Sequence, residues 1–114
     1  MCERDEALEI LTTHSGVVIL SNVGAELLLN ERRILSESMF VEMVVWRLSR
    51  PGAGSGHSVK YRLALVVDGV CVLRYDNESG KGDHKHMGDK EVEYTFTTAE
   101  ALIHDFWKDV DRWR

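Results

Sequence analysis

The chain has 114 residues, of which 44% are hydrophobic and 29% charged, values typical of one globular domain. This apolar content is enough to close a core and excludes extended disorder. The longest purely apolar run has five residues, 63–67, whereas a membrane-spanning helix needs about 20. The acidic opening MCERDEALEI does not have the pattern of a signal or transit peptide, so we expect a cytoplasmic protein with no membrane association.

The net charge of −5 is unevenly distributed along the chain. Residues 1–46 carry a net −5, residues 47–90 a net +3 and residues 91–114 a net −3. The acidic flanks would repel nucleic acid, whereas the basic middle third could attract a phosphate locally. Charge alone therefore does not exclude RNA as a substrate.

The first elements in chain order are a helix and a hairpin. Apolar residues at helical spacing predict an N-terminal helix over 3–14. Two β-rich apolar segments, 26–35 and 39–48, are separated by Ser36-Glu37-Ser38 and predict a hairpin.

The central hairpin, residues 59–68 and 70–77, is the clearest element of the sequence. Asp68-Gly69 matches a two-residue hairpin turn, whose two central residues need positive φ. With Val67 opposite Val70, a regular register places Leu63 opposite Arg74. Both faces are apolar near the turn, which predicts a central hairpin covered on both sides.

The last part of the chain contains a polar stretch, a strand and a helix. Residues 78–91 have almost no apolar side chains and predict a loop. Residues 92–96 predict the last strand. Thr97, with Glu100 three residues later, predicts the start of a C-terminal helix over 98–113.

These elements predict a single α+β domain over residues 1–114. Its antiparallel β-sheet, over 25–96, would have five or six strands. An N-terminal and a C-terminal helix would pack on the sheet.

The open end of the central hairpin concentrates the polar chemistry of the chain. Arg74 and Asp76 alternate along one strand, so their side chains share a face. The stretch that follows contains glycines, lysines and the pair His84 and His86. Histidine takes or gives a proton near neutral pH, and the neighbouring cations could hold a phosphate. Cleavage of RNA by its own 2′-hydroxyl needs such a base, acid and cation, and no metal.

Two alternatives remain open on the residues alone. His84 and His86 could ligate a metal, with Asp76 or Asp83 as a third ligand, in a hydrolase or nucleotide-modifying enzyme. The two interleaved lysines and the lack of a nearby cysteine argue against that hypothesis. A non-enzymatic module that only binds a partner is the second alternative.

Three segments resemble the TumE-like family of small toxins from prokaryotic toxin–antitoxin pairs. They are VVWRL (44–48), KYRLALVVDGVCVLRYDNESGKGDHKH (60–86) and the region from YTFTT to the C-terminal helix (94–110). The motif YDNESGKGDHKH (75–86) is specific, and the resemblance covers residues 25–114. It implies a type II toxin neutralised by a cognate antitoxin, often a helix-turn-helix DNA-binding protein. Analogy with other small toxins of compact antiparallel fold implies an endoribonuclease.

The sequence thus predicts a metal-independent endoribonuclease toxin that needs no cofactor. Its partners would be RNA, the antitoxin and, as a further candidate, a second copy of the chain. We expect both histidines of the pair to be accessible. The candidate catalytic residues are His84, His86 and Asp76; the candidate phosphate-binding or RNA-binding residues are Arg74, Lys81, Lys85 and Arg62; the supporting residues are Asp83, Tyr75 and Asn77.

Overall fold

The computed structural model describes residues 25–49, 56–77 and 82–114. In these ranges six strands form one antiparallel sheet, in sequence order, and a single helix follows. The elements are β1 (Ala25–Ser36), β2 (Met39–Leu48), β3 (Val59–Val67), β4 (Val70–Asp76), β5 (His84–Met87), β6 (Lys90–Glu93) and α1 (Ala99–Asp111). The predicted sheet and C-terminal helix are confirmed, while the predicted helix over 3–14 lies outside the described residues.

The core lies between α1 and one side of the sheet, which we call the helix face. Leu102, Phe106 and Val110 recur every four residues, so they form one apolar stripe along α1, and all three are fully buried. Alternate residues of the strands meet this stripe. The fully buried strand residues are Val41, Met43, Val45, Tyr61, Leu63, Leu65, Leu73 and Tyr75.

Helix α1 begins one residue later than the sequence predicts. Thr98, not Thr97, is the N-cap, and its hydroxyl accepts the backbone N–H of Ala101 at 3.0 Å. The prediction of Thr97 was therefore wrong by one residue, because the cap is the threonine whose oxygen reaches an unpaired N–H three residues on. The helix ends at Asp111, two residues before the predicted 113.

The central hairpin has the predicted turn, but its register changes one pair after it. Asp68 and Gly69 both have positive φ, 51° and 78°, and Val67 lies opposite Val70. A bulge then leaves Val72 without an opposite residue, because Val66 faces Cys71 while Leu65 faces Leu73. The predicted pairing of Leu63 with Arg74 was therefore wrong.

The bulge decides which side chains share a face. Arg62 lies opposite Asp76 and Ala64 opposite Arg74, while Leu63 lies opposite Tyr75. A shift of one residue changes which residue of the neighbouring strand lies opposite every later side chain. Charged residues of β3 and β4 therefore face one another, and apolar residues meet on the helix face.

The polar stretch predicted as a loop contains a hairpin. Strands β5 and β6 are joined at Gly88 and Asp89, and residues 94–98 lead to the helix without forming a strand. The predicted last strand over 92–96 therefore lies at 90–93 instead, and the sheet ends at Glu93 rather than at 96. A Gly-Asp pair between two short segments is a hairpin signal, but the polar composition of the segments hid it.

Helix α1, the one helix among the described ranges, is too short and too polar to cross a bilayer.

Candidate active site

The motif that the sequence singles out is divided between the two faces of the sheet. In the register of β4 with β5, Asp76 lies opposite His84 and Arg74 opposite His86. These four side chains point away from α1, on the side that we call the site face. Tyr75 and Lys85 lie opposite each other and point to the helix face.

The pair of Asp76 and His84 forms the buried part of the site. The His84 side chain is 7% exposed, and its Nε2 lies 2.9 Å from Asp76 Oδ1. Its Nδ1 lies 3.0 Å from the Gly82 carbonyl oxygen. Both contacts are acceptors, so they are satisfied together only when both ring nitrogens carry protons. The expectation that His84 is accessible was wrong, because its strand pairs it with a buried carboxylate.

Arg74 links this pair to His86. One terminal nitrogen, Nη2, lies 3.0 Å from His86 Nε2, so the guanidinium donates and the imidazole accepts. Its Nε lies 2.7 Å from Asp76 Oδ2, close enough for an ion pair. The N–H is not aligned with that oxygen, and this buried donor has no hydrogen-bond partner. Arg74 therefore links His86 to Asp76, and its Nε–H is paired with the Asp76 carboxylate by charge but with poor hydrogen-bond alignment.

His86 differs from His84 in both exposure and charge. Its side chain is 24% exposed. Desolvation, followed by the charge of Arg74, lowers the pKa of His86 below its ordinary value. Acceptance of a hydrogen bond at Nε2 places the proton of the neutral ring on Nδ1. The site thus combines a ring that accepts a hydrogen bond from Arg74 and a ring whose two nitrogens both face acceptors, 4.9 Å apart between ring centroids.

Two further residues belong to the site face. Arg62, predicted to bind RNA, is buried at 6% exposure directly opposite Asp76. Glu91 lies opposite His86, and its carboxylate oxygens are 3.9 Å from nitrogens of His84 and of His86. Sequence analysis missed Glu91, which the Gly88-Asp89 turn would have placed beside the histidines. Lys81, the remaining predicted phosphate ligand, lies outside the described residues.

Asp76, His84 and His86 are also the residues that could hold a metal ion. Each offers one ligand atom, and the three atoms lie within 4.8 Å of one another. Two histidines and one carboxylate form a common ligand set for divalent transition metals. The guanidinium of Arg74 already contacts two of these three residues.

On the helix face, Tyr75 and Lys85 contact helix α1. The Tyr75 hydroxyl donates to Asp109 Oδ2 at 2.5 Å, and Lys85 Nζ contacts the same oxygen at 3.1 Å. Burial, then the hydrogen bond to Asp109, raises the pKa of Tyr75 far above its ordinary value. Tyr94 donates similarly to Asp105 at 2.6 Å. A cleft of about 200 Å³ adjoins them, lined by Tyr75, Lys85, Tyr94, Asp105, Lys108, Asp109 and Arg112.

Asp83 and Asn77, the supporting residues, belong to a third cluster that includes His57. Asp83 accepts hydrogen bonds from the Tyr61 hydroxyl at 2.7 Å and from His57 Nε2 at 2.8 Å. Asn77 accepts the backbone N–H of Tyr61 and donates to the Val59 carbonyl. Sequence analysis did not single out His57, which the fold brings to Asp83 from 26 residues away.

The comparisons with known proteins identify a family. The family model described as toxin TumE matches residues 24–114. No curated protein and no solved structure shows a significant match to the chain. The matched range contains the six strands and the helix of the described residues, together with the residues of the site face. The chain therefore belongs to the TumE toxin family.

Proposed function

We propose that this chain is the toxin of a type II toxin–antitoxin pair and cleaves RNA without a metal ion. The carrying observation is the arrangement of Arg74 between two histidines that have different hydrogen-bond roles. Arg74 contacts His86 directly and His84 through Asp76. A cation, a proton acceptor and a proton donor are the groups that cleavage by the RNA 2′-hydroxyl requires.

Arg74 is the proposed phosphate ligand. A guanidinium binds phosphate oxygens through several N–H groups at once. The Nε–H of Arg74 is poorly aligned with Asp76 Oδ2, 2.7 Å away, so a phosphate oxygen would compete with that carboxylate for the guanidinium. Positive charge held at that position would also stabilise the charge that develops on the phosphate during attack. Arg62, buried opposite Asp76, adds a second positive charge on the same face.

His86 is the proposed general base. Its lowered pKa keeps the ring neutral at pH 7, which is the state that a base needs. Arg74 engages the Nε2 lone pair. When Arg74 turns toward a phosphate, that lone pair becomes available to take the proton of the 2′-hydroxyl. Substrate binding and base activation are thus coupled through one guanidinium.

His84 is the proposed general acid. Both of its ring nitrogens face acceptors of the protein. Because the ring is buried, the Nε2–H would have to turn from Asp76 toward the departing 5′-oxygen when the substrate binds, and it would deliver its proton there. The oxygen of the 2′-hydroxyl attacks phosphorus as the bond to the 5′-oxygen breaks. The products would be a 2′,3′-cyclic phosphate and a 5′-hydroxyl end.

The predicted phosphate ligand Lys85 has no place in this scheme, because it is paired with Asp109 on the opposite face. Lys81 stays a predicted phosphate ligand. Membership of a toxin family implies an antitoxin partner. We propose a helix-turn-helix antitoxin and action in the cytoplasm, where the RNA substrate is found; a homodimer stays a prediction.

The experiment is cleavage of a short labelled RNA by purified toxin in EDTA, with a substrate in which every ribose is 2′-deoxy as the matched control. We expect cleavage of the RNA alone, with cyclic phosphate ends. Cleavage of the deoxy substrate, or 5′-phosphate ends, would contradict the mechanism.

A metal-dependent hydrolase is the second candidate. It is favoured by the close approach of ligand atoms from Asp76, His84 and His86 and by the His84 Nδ1 contact with a carbonyl, a typical orienting bond for a ligating histidine. Elemental analysis of the purified chain distinguishes the candidates. Near-stoichiometric zinc, manganese or nickel that is lost in His84→Ala, together with cleavage only when that metal is present, would replace the metal-independent proposal.

A further inference from the structure

We propose that His57, outside the motif, is a positioning residue that fixes the His84 ring through Asp83 and the Gly82 carbonyl. The consequence for catalysis rests on the proposed function, whereas the positioning itself does not. His57 is 26 residues from Asp83 in sequence, and its imidazole does not contact the substrate site.

The His57 ring is fixed on three sides. Its Nδ1 accepts the backbone N–H of Val59 at 3.1 Å, so the proton lies on Nε2. That Nε2–H faces both carboxylate oxygens of Asp83, at 2.8 and 3.0 Å. The ring also stacks on Phe96, with centroids 3.8 Å apart and an interplanar angle of 18°. A histidine with one defined tautomer therefore points a donor at Asp83.

Asp83 is in turn held by both its side chain and its backbone. Its carboxylate accepts the Tyr61 hydroxyl at 2.7 Å, and its backbone carbonyl accepts the N–H of Tyr94 at 3.1 Å. These bonds fix the residue on one side of the Gly82–Asp83 peptide. Side-chain and backbone partners of this kind commonly orient the groups of a site.

Gly82 precedes Asp83, and its backbone carbonyl contacts His84. It is buried and has φ of 87°, a backbone conformation that favours glycine. Its carbonyl oxygen receives the Nδ1–H of His84 at 3.0 Å. This carbonyl and the side chain of Asp83 are adjacent along the chain. Without the His57 bond, Asp83 would be held only by Tyr61, Asn77 and Tyr94, and we expect the looser peptide to weaken the acceptor of His84.

The test uses the full-length chain and two substitutions at one position. His57→Phe keeps a ring on Phe96 but removes the donor to Asp83, while His57→Gln supplies an amide donor without the ring. The primary readout is the proton NMR signal of the His84 Nδ1–H, which a hydrogen bond to carbonyl protects from exchange. We expect the signal to be lost in His57→Phe and retained in His57→Gln. The exposed His104 on α1 provides the control substitution, His104→Phe.

Cleavage kinetics form the second arm. We expect kcat to fall about tenfold in His57→Phe with KM unchanged, the usual size of an effect transmitted through an orienting hydrogen bond. If the protein cleaves no RNA, the proposed function fails and the NMR signal alone decides the positioning. A folded His57→Phe variant that keeps the His84 signal would overturn the inference. If His57→Phe does not fold, Asp83→Asn takes its place, with loss of the signal supporting the inference and its retention contradicting it.

Discussion

The two faces of strands β4 and β5 use neighbouring residues in opposite ways. On the helix face, Tyr75 and Lys85 converge on one carboxylate, Asp109, which is 7% exposed. On the site face, Arg74 contacts His86 and Asp76, but its buried Nε–H is poorly aligned with the Asp76 oxygen. The first arrangement joins its polar groups by hydrogen bonds, and the second includes an ion pair whose N–H is poorly aligned with its acceptor.

This difference divides the residues of the motif into two groups, one on each face of the sheet. A hydrogen bond weakens steeply as its angle departs from linearity, so the misaligned Arg74 donor is where we expect a ligand oxygen to bind. The satisfied Tyr75–Lys85–Asp109 cluster needs no ligand and instead fastens α1 to the sheet. The helix face should therefore control stability, and the site face should control activity.

The largest expected effect is on stability and lies in the core of the helix face. Leu65 is fully buried, opposite Val41 and Leu73 in the neighbouring strands. We expect Leu65→Ala to lower the free energy of unfolding by about 2–5 kcal/mol, measured by urea denaturation. A change below about 1 kcal/mol would show that the helix face is not the stabilising core.

The next effect is on activity and lies on the site face. His86→Ala should lower RNA cleavage and growth inhibition by roughly 100-fold or more, as expected for loss of a general base. Its unfolding free energy should change by about 0.5 kcal/mol or less, because the ring is partly exposed. His104→Ala, on an exposed turn of α1, is the matched control and should retain activity. Full toxicity in a folded His86→Ala variant would refute the assignment.

Asp109→Asn, unlike His86→Ala, should lower stability and leave activity unchanged. It weakens the acceptor that receives Tyr75 and Lys85, so we expect a loss of about 1–3 kcal/mol in unfolding free energy with cleavage per folded molecule unchanged. A loss of cleavage larger than the folded fraction explains would link this cluster to the site.

The pH dependence of that variant sharpens the comparison. Burial raises the pKa of the Asp109 carboxyl, but the hydrogen bonds from Tyr75 and Lys85 outweigh burial and hold it below its ordinary value. A depressed folded pKa stabilises the protein above the unfolded pKa of about 3.9, and this stability is lost as pH falls through the folded pKa. The stability advantage of the native chain over Asp109→Asn should therefore shrink below about pH 4. An advantage that is constant down to pH 3 would contradict this.

The smallest effect is a pKa shift within the site. Desolvation and then Arg74 lower the pKa of His86, so protonation of this ring in the folded protein should occur below its ordinary value of 6.5. Removal of the positive charge in Arg74→Gln should raise that pKa toward 6.5. An NMR titration in EDTA measures it, with Arg47→Gln, a change to an exposed arginine, as control. An unchanged pKa in Arg74→Gln would mean that Arg74 does not act on His86.

The sequence predicts much of the fold because its strongest signals are local. The Asp68-Gly69 turn and the apolar stripe of α1 depend on residues close together in the chain, and both are confirmed. The bulge at Val72 has no comparable local signal, because apolar residues occupy both faces near the turn. A register error of one residue then placed Leu63, instead of Ala64, opposite Arg74.

The sequence predicted which residues form the motif, but not which face of the sheet each of them lies on. Alternation along β4 placed Arg74 and Asp76 on one face. Residues 78–91 were read as a loop, so the opposite orientation of Lys85 and the approach of Glu91 were missed. His57 was not assignable because its contact with Asp83 depends on tertiary packing across 26 residues.

The most direct test of the division between the faces is the cleavage rate of Lys85→Met beside that of His86→Ala. Both side chains are about a quarter exposed, 24% in each case, and they are one residue apart in the motif. We predict that Lys85→Met loses stability but cleaves RNA at the native rate per folded molecule, while His86→Ala stays folded and loses cleavage. Loss of cleavage in a stable Lys85→Met variant would contradict the account.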